Sequence, residues 1–75
     1  MDNSKYYVIV DIRTLEFMRD GYGESRISEA TVYSTENEAR YEIGTYDEPE
    51  FFEVYEVEQE ISRSFKLIPK KEIVG

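Results

Sequence analysis

A complete set of helix start and stop signals occurs once in the chain, between Thr35 and Gly44. Thr35 is expected to accept a backbone N–H as the N-cap, and Glu38 to reach back to the Thr35 N–H in a capping box. Gly44 is expected to end the helix in a left-handed conformation. Ala39 and Ile43 fall on one face and form the packing stripe. A helix of about eight or nine residues does not persist alone in water, so it must pack on a sheet.

Outside this helix the sequence predicts strands and turns. Residues 5–10 form an almost unbroken apolar and β-branched run, which is typical of a central strand buried on both faces. Four further segments are predicted as strands: 15–19, 27–33, 51–58 and 61–68. A bulge or a twisted strand is expected in 51–58, where the apolar alternation slips once, and 61–68 is either an extension of that strand or a fifth strand. The predicted fold class is therefore α+β, a small, mainly antiparallel sheet of four or five strands packed by one short helix over about residues 35–44.

The connections between the first strands are also predicted. Residues 11–14 have the composition of a hairpin turn in which Asp11 bonds the backbone that follows it. Ile12 and Leu15 make this turn unusually apolar. They are expected to fold back over the edge of the core, the alternative being an exposed contact point. Residues 20–25 are predicted as a loop, because two glycines flank a tyrosine there.

Length and composition limit the classes of function. A chain of 75 residues forms one small domain at most, so residues 1–75 are predicted as a single α+β domain with 1–4 and 70–75 frayed. The sequence contains no cysteine and no histidine. Histidine is the commonest general base and a frequent metal ligand, so we expect no enzyme activity, no metal site and no cofactor.

The chain start and the charge indicate where the protein works. The N-terminus lacks the basic start and apolar run of a secretory signal, and no stretch approaches the roughly 20 apolar residues of a membrane span. We therefore expect a cytoplasmic protein with no membrane partner. The net charge of −8 disfavours direct binding to nucleic acid and favours a basic partner.

The acidity is concentrated in one segment. Residues 34–60 contain ten acidic side chains and one basic side chain. Residues two apart on a strand lie on one face about 6.6 Å apart, so Glu56, Glu58 and Glu60 are predicted to form a row of spaced negative charges. Such a row can imitate a duplex backbone, and the alternative is a solvated face that keeps a small protein soluble. The predicted partner-binding residues are these and other acids of the segment with two loop tyrosines: Glu36, Glu38, Glu42, Glu53, Glu56, Glu58, Glu60, Tyr22 and Tyr46.

The order of these segments resembles that of small α+β accessory proteins encoded by phages and prophages. The resemblance rests on Tyr7-Val8-Ile9-Val10, on Ser28-Glu29-Ala30-Thr31-Val32-Tyr33 and on Thr35-Glu36-Asn37-Glu38-Ala39, followed by a Glu/Val strand. It covers most of residues 5–60. The chain departs from the pattern because its first hairpin turn has no glycine. The resemblance implies an origin in a mobile element and no particular activity.

Two functions are compatible with these observations. The first is a phage or mobile-element inhibitor or modulator whose acidic face occupies a basic, nucleic-acid-binding surface of a host protein. That host protein would be a nuclease, a polymerase or another nucleic-acid-handling protein in the host cytoplasm. The second is a general protein–protein interaction or assembly module with aromatic contacts and no mimicry of nucleic acid. A contiguous acidic face favours the first function, and an exposed apolar or tyrosine patch favours the second.

Overall fold

The computed structural model describes residues 5–59 and 65–70 of the chain. These residues form one antiparallel sheet of five strands packed by one α-helix, which confirms the predicted α+β class. The strands are β1 (Lys5–Asp11), β2 (Glu16–Arg19), β3 (Tyr22–Glu24), β4 (Phe52–Gln59) and β5 (Phe65–Pro69), and the helix is α1 (Glu36–Ile43). Their order across the sheet is β3-β2-β1-β4-β5, with antiparallel neighbours throughout.

The core consists of two buried clusters, one on each face of the sheet. On the face covered by α1, Ile9, Met18 and Val54 of the sheet pack in one cluster with Ala39 of the helix. The opposite face carries Val8, Val10 and Val57. The central strand β1 contributes to both clusters because successive side chains of a strand point to opposite faces. Val8 and Ile9 have 0% exposure, as the apolar run at 5–10 predicts.

α1 begins as predicted but ends differently. The Thr35 hydroxyl accepts the backbone N–H of Glu38 at 3.1 Å. The Glu38 carboxylate accepts the N–H and the hydroxyl of Ser34, at 3.2 and 2.9 Å, rather than the N–H of Thr35. The predicted left-handed stop at Gly44 is wrong, because its φ of −63° and ψ of −16° are right-handed. Its N–H donates to the Arg40 carbonyl, so the last turn closes without a left-handed residue.

Residues 20–25 are not the predicted loop. Asp20 and Gly21 form a two-residue turn with φ of 50° and 90°. Positive φ at both positions is the type I′ arrangement, which matches the twist of the strands it joins. Arg19 pairs with Tyr22 across this turn, and β3 follows. Tyr22 therefore lies at the start of a strand rather than at a loop tip, and it is 73% exposed.

The strand predicted over 27–33 is also wrong. The structure has a 3₁₀ helix at Ile27–Glu29, and this segment packs on the sheet face opposite α1. Tyr33 forms an isolated bridge to Tyr7 with N–H···O distances of 2.9 and 2.8 Å, and the Thr31 N–H donates to the Met18 carbonyl of β2 at 3.1 Å. The β-branched residues of this stretch favour a strand. The stretch covers the second core cluster instead, because the apolar burial gained there outweighs the strand propensity.

β4 contains no bulge. Its register with β1 runs without interruption over seven residue pairs. The apparent slip in alternation arises because Phe51 belongs to a 3₁₀ helix, Pro49–Phe51, that precedes the strand. β5 is a separate fifth strand, antiparallel to β4, and it ends at Pro69 as predicted. Residues 61–64 of that prediction lie outside the described residues.

The first hairpin turn is exposed and carries a left-handed leucine. Asp11 accepts the Arg13 N–H at 2.9 Å, which confirms the predicted closure. Leu15 has a φ of 64°, a conformation that costs an L residue about 1–2 kcal/mol. Ile12 and Leu15 are 40% and 70% exposed, so the expectation that they cover the core edge is wrong. The turn is exposed, and a contact with a partner at this turn stays a prediction.

Candidate functional site

The acids of β4 lie on two different faces of the sheet. Glu56 and Glu58 share the face of Val54, which is covered by α1, as their spacing predicts. Glu53 has the opposite parity and lies on the other face. Glu60 is outside the described residues. The described acids of β4 therefore lie on both faces of the sheet and do not form one surface.

Glu56 is a buried carboxylate held by two lysines. Its side chain is 8% exposed, and its oxygens lie 2.9 Å from the Nζ of Lys70 and 3.6 Å from the Nζ of Lys5. The hydrogen bond from Lys70 holds the pKa of Glu56 below its usual value, and the charge of Lys5 adds to the effect. Glu56 thus ties β1 and the residue after β5 to β4, and its oxygens are engaged within the protein.

Three of the predicted acids lie on α1. Glu36 forms an ion pair with Arg40, four residues on, at 2.8 Å. Glu38 is engaged in the bonds at the helix start described above. Glu42 lies half-buried in the last turn of α1, and its carbonyl accepts the hydroxyl of Thr45 at 2.7 Å. Glu42 is therefore the helix acid that approaches the groove described next.

A groove of about 330 Å³ opens between the loop after α1 and the turn that joins β2 to β3. Four separate segments of the chain line it: Arg13, Met18 with Gly21, Thr45 to Glu48, and Phe52. Met18 is buried and Phe52 is half-buried, so the floor is apolar. Asp47 and Glu48 are exposed and bring carboxylates to the rim.

Aromatic rings shape one end of this groove. The rings of Tyr46 and Phe52 meet edge to face, with centroids 4.8 Å apart. The guanidinium of Arg13 lies 4.3 Å from the centroid of the Phe51 ring and 5.8 Å from that of Phe52. Both distances are within the range of a cation–π interaction. The rings therefore hold a cation of the protein's own chain at the edge of the groove.

Two carboxylates compensate the charge of Arg13. Its guanidinium donates to both carboxylate oxygens of Asp11 at 3.1 Å and to Glu48 at 3.4 Å. The bond from Arg13 lowers the pKa of Asp11, and the bond to Asp11 raises the pKa of Arg13. The basic residue that lines the groove is therefore already paired, and it does not make the groove electropositive.

Acidic side chains set the electrostatic environment of Tyr46. Burial raises the pKa of Tyr46 to about 12, and Tyr33, Glu42 and Asp20 contribute. Burial also raises the pKa of Tyr33, again with contributions from Glu42 and Asp20. Asp20 directly precedes Gly21, and the Glu42 carbonyl accepts the Thr45 hydroxyl at 2.7 Å, so both acids lie next to residues that line the groove. We define the acidic surface as the two acids near Tyr46 together with the two at the rim: Asp20, Glu42, Asp47 and Glu48.

The structure brings only part of the predicted site together. Glu42 and Tyr46 lie at the groove, whereas the other described members are distributed over α1, both faces of β4 and β3: Glu36, Glu38, Glu53, Glu56, Glu58 and Tyr22. The sequence reasoning missed Asp20, Asp47 and Glu48 as members of one site. The dipeptide Asp20-Gly21 is a hairpin signal that would have placed Asp20 at a tight turn.

The chemistry available at the groove is the attraction of positive charge. Within residues 5–59 and 65–70, no three acidic side chains are grouped so that they could hold a metal ion. No helix in this part of the chain has the length and apolar character needed to cross a membrane. Comparisons with protein-family models, with curated proteins and with solved structures yield no match. Function has to follow from the groove and its charges alone.

Proposed function

We propose that this chain is a non-enzymatic binding protein whose acidic surface occupies a basic, nucleic-acid-binding surface of another protein. The supporting observation is that Asp47 and Glu48 line one groove, that Asp20 and Glu42 lie next to the lining residues Gly21 and Thr45, and that the basic residue of the lining, Arg13, is already paired. A surface of this kind attracts basic patches and repels phosphate. Its natural complement is a protein that binds nucleic acid, not the nucleic acid itself.

Occupancy is sufficient for such a protein to inhibit or modulate its partner. Electrostatic attraction steers the partner toward the acidic surface and speeds the encounter. Lysine and arginine side chains that would contact phosphates contact carboxylates instead, so the protein and nucleic acid compete for one surface. This mechanism requires no catalytic group and no cofactor. Given the resemblance to phage proteins, the partner we propose is a nuclease, polymerase or similar host protein, met in the host cytoplasm.

The acidic surface replaces the β4 row at the centre of this proposal. Glu56 is buried and engaged with Lys5 and Lys70, so a charge reversal there would disturb the sheet rather than test binding. Glu53 lies on the opposite face and cannot act together with the groove. The acids that test the proposal are those whose side chains lie at or near the groove.

A second function, an interaction module with aromatic contacts, is supported by a different observation. Tyr22, Tyr41 and Leu15 are 73%, 80% and 70% exposed. These residues belong to β3, to α1 and to the first turn, that is, to three different elements. Single exposed apolar residues are normal on proteins, and a contact surface requires a contiguous patch. These exposures alone do not show such a patch, so the interaction module is the second proposal.

Two variants of equal net charge separate location from total charge. The acidic-surface variant carries Asp20→Asn, Glu42→Gln and Asp47→Asn. The control variant carries Glu24→Gln, Glu29→Gln and Glu53→Gln. These acids belong to β3, to the 3₁₀ helix and to β4, on the side of the sheet opposite α1. In the described part of the structure, none of the three carboxylates removed from the acidic surface accepts a hydrogen bond. Both variants should therefore fold.

The experiment is capture from a cell lysate with each immobilised protein. We expect the unmodified protein and the control variant to capture the same nucleic-acid-binding proteins, which added DNA or salt releases. The acidic-surface variant should lose them. If that variant retains the captured proteins at high salt, the proposal is wrong. If a Tyr22→Ser, Tyr41→Ser variant loses them instead, the interaction module is the better account.

A further inference from the structure

The groove beside Tyr46 is small. Its volume of about 330 Å³ lies at the lower end of the range of about 300–1,000 Å³ that is typical of ligand pockets. Met18 is 7% exposed and forms an apolar floor together with Phe52. An occupant that fits this floor has an apolar stem, because burying a polar stem there would leave it without hydrogen-bond partners.

The charges at the rim of the groove determine which charge the end group of that occupant can carry. Asp47 and Glu48 are exposed carboxylates on the lining, and Asp20 and Glu42 add negative charge near Tyr46. A cationic head is attracted by this charge, and an anionic head is repelled. The side chains that join an aliphatic stem to a cationic head are those of lysine and arginine.

Arg13 shows which of the two cations this region accommodates. Its guanidinium lies against the ring of Phe51 and donates to Asp11 and to Glu48. A guanidinium is planar, stacks on aromatic rings and donates to carboxylates in a fixed fork, whereas an ammonium is compact and strongly hydrated. Rings and carboxylates lie together again in the groove, where Tyr46 adjoins Asp47. The combination favours arginine.

We propose that the groove receives one arginine side chain of the basic partner. The stem lies over Met18, and the guanidinium lies beside Tyr46 within reach of Asp47 and Glu48. This inference rests on the proposed function, because it names the group of the basic partner that the acidic surface holds. It also goes further, since binding then depends on an arginine at one position and not only on the total positive charge of the partner.

The test is an NMR titration of isotope-labelled protein with N-acetyl-arginine amide. The matched control is N-acetyl-citrulline amide, which has nearly the same shape and no charge. We expect saturable shifts at the Met18 methyl and at the backbone amides of Gly21 and Thr45, all on the groove lining. The citrulline analogue should bind more weakly by up to roughly fivefold, since an exposed ion pair contributes up to about that factor.

Variants locate the site. Asp47→Asn should weaken the arginine analogue by roughly two- to fivefold and leaves the pair of Arg13 with Glu48 intact. Glu29→Gln removes one charge from the opposite side of the protein and should leave the affinity unchanged. Equal shifts with both analogues, or shifts spread over acids remote from the groove, would overturn the inference.

The two proposals fail in different ways. If the arginine analogue does not perturb the groove while lysate capture remains sensitive to DNA and to the acidic-surface variant, the arginine contact is wrong and the proposed function stands. If the groove binds the arginine analogue but no captured protein is released by DNA, the proposed function is wrong. The groove is then a site for arginine on a partner of another kind.

Discussion

Leu15 allows a direct test of the backbone geometry at the first hairpin turn. Its φ of 64° lies in the left-handed region, and its side chain is 70% exposed. The substitutions Leu15→Ala and Leu15→Gly both remove the side chain beyond Cβ. The difference in unfolding free energy between the two variants therefore reports the backbone conformation. We expect the glycine variant to be the more stable of the two.

The expected difference follows from two opposing effects. A left-handed conformation costs an L residue about 1–2 kcal/mol, and glycine avoids this cost. Glycine also loses more conformational freedom on folding than alanine, by about 0.5–1 kcal/mol. The balance favours Leu15→Gly over Leu15→Ala by about 0–1.5 kcal/mol. At a position with ordinary backbone angles only the loss of conformational freedom operates, and the alanine variant is then the more stable of the two.

Urea unfolding of both variants measures this difference, provided that the slopes of the two transitions agree. Gly21→Ala is the control, because Gly21 has a φ of 90° and an added Cβ would meet no other described atom within 4 Å. It should lower the unfolding free energy by about 1 kcal/mol through backbone strain alone. If Leu15→Ala is the more stable of the two, Leu15 is not left-handed and the described turn is wrong.

Three further changes test the helix and the buried ion pair. Thr35→Ala removes the N-cap hydroxyl and should lower the unfolding free energy in urea by about 0.5–2 kcal/mol; no loss would contradict the cap. Gly44→Ala should raise it by up to about 0.5 kcal/mol because the φ of −63° suits alanine, although the new Cβ lies 3.3 Å from the Tyr41 carbonyl oxygen. A clear loss would indicate a left-handed Gly44. Lys70 lowers the pKa of Glu56 from its ordinary 4.5, so this stabilisation is present above pH 4.5 and is lost as the pH falls through the folded pKa. Glu56→Gln should flatten the fall in unfolding free energy below pH 4.5, and an unchanged pH profile would contradict the pair.

The parts of the fold that were predictable depend on local signals. The cap at Thr35 is set by residues three apart, and the central strand at 5–10 by a continuous apolar run. The strand predicted over 27–33 failed because its residues are needed to cover the second core cluster, which depends on the whole sheet. The end of the helix at Gly44 failed because a glycine permits a left-handed conformation and does not impose one.

The candidate site was less predictable than the fold because it is assembled from distant segments. The groove combines Arg13, Met18 and Asp47, which approach one another only after the sheet and the helix have packed. The acids of β4 also show that the sequence alone does not reveal which side chains are buried and paired. Their period of two correctly placed Glu56 and Glu58 on one face, but only the register and the return of Lys70 show that Glu56 is buried and paired. The count of charged residues in each segment located the acidic part of the chain approximately. Which acids share a surface depends on how the strands and the helix pack.

The central claim is that the acidic surface and nucleic acid compete for one surface of a partner protein. The most direct measurement is the fluorescence anisotropy of a labelled oligonucleotide bound to a captured partner, titrated with this protein. We predict complete displacement, an apparent affinity that weakens in proportion to the oligonucleotide concentration, and little displacement by the acidic-surface variant. A stable ternary complex of partner, oligonucleotide and this protein would contradict the claim.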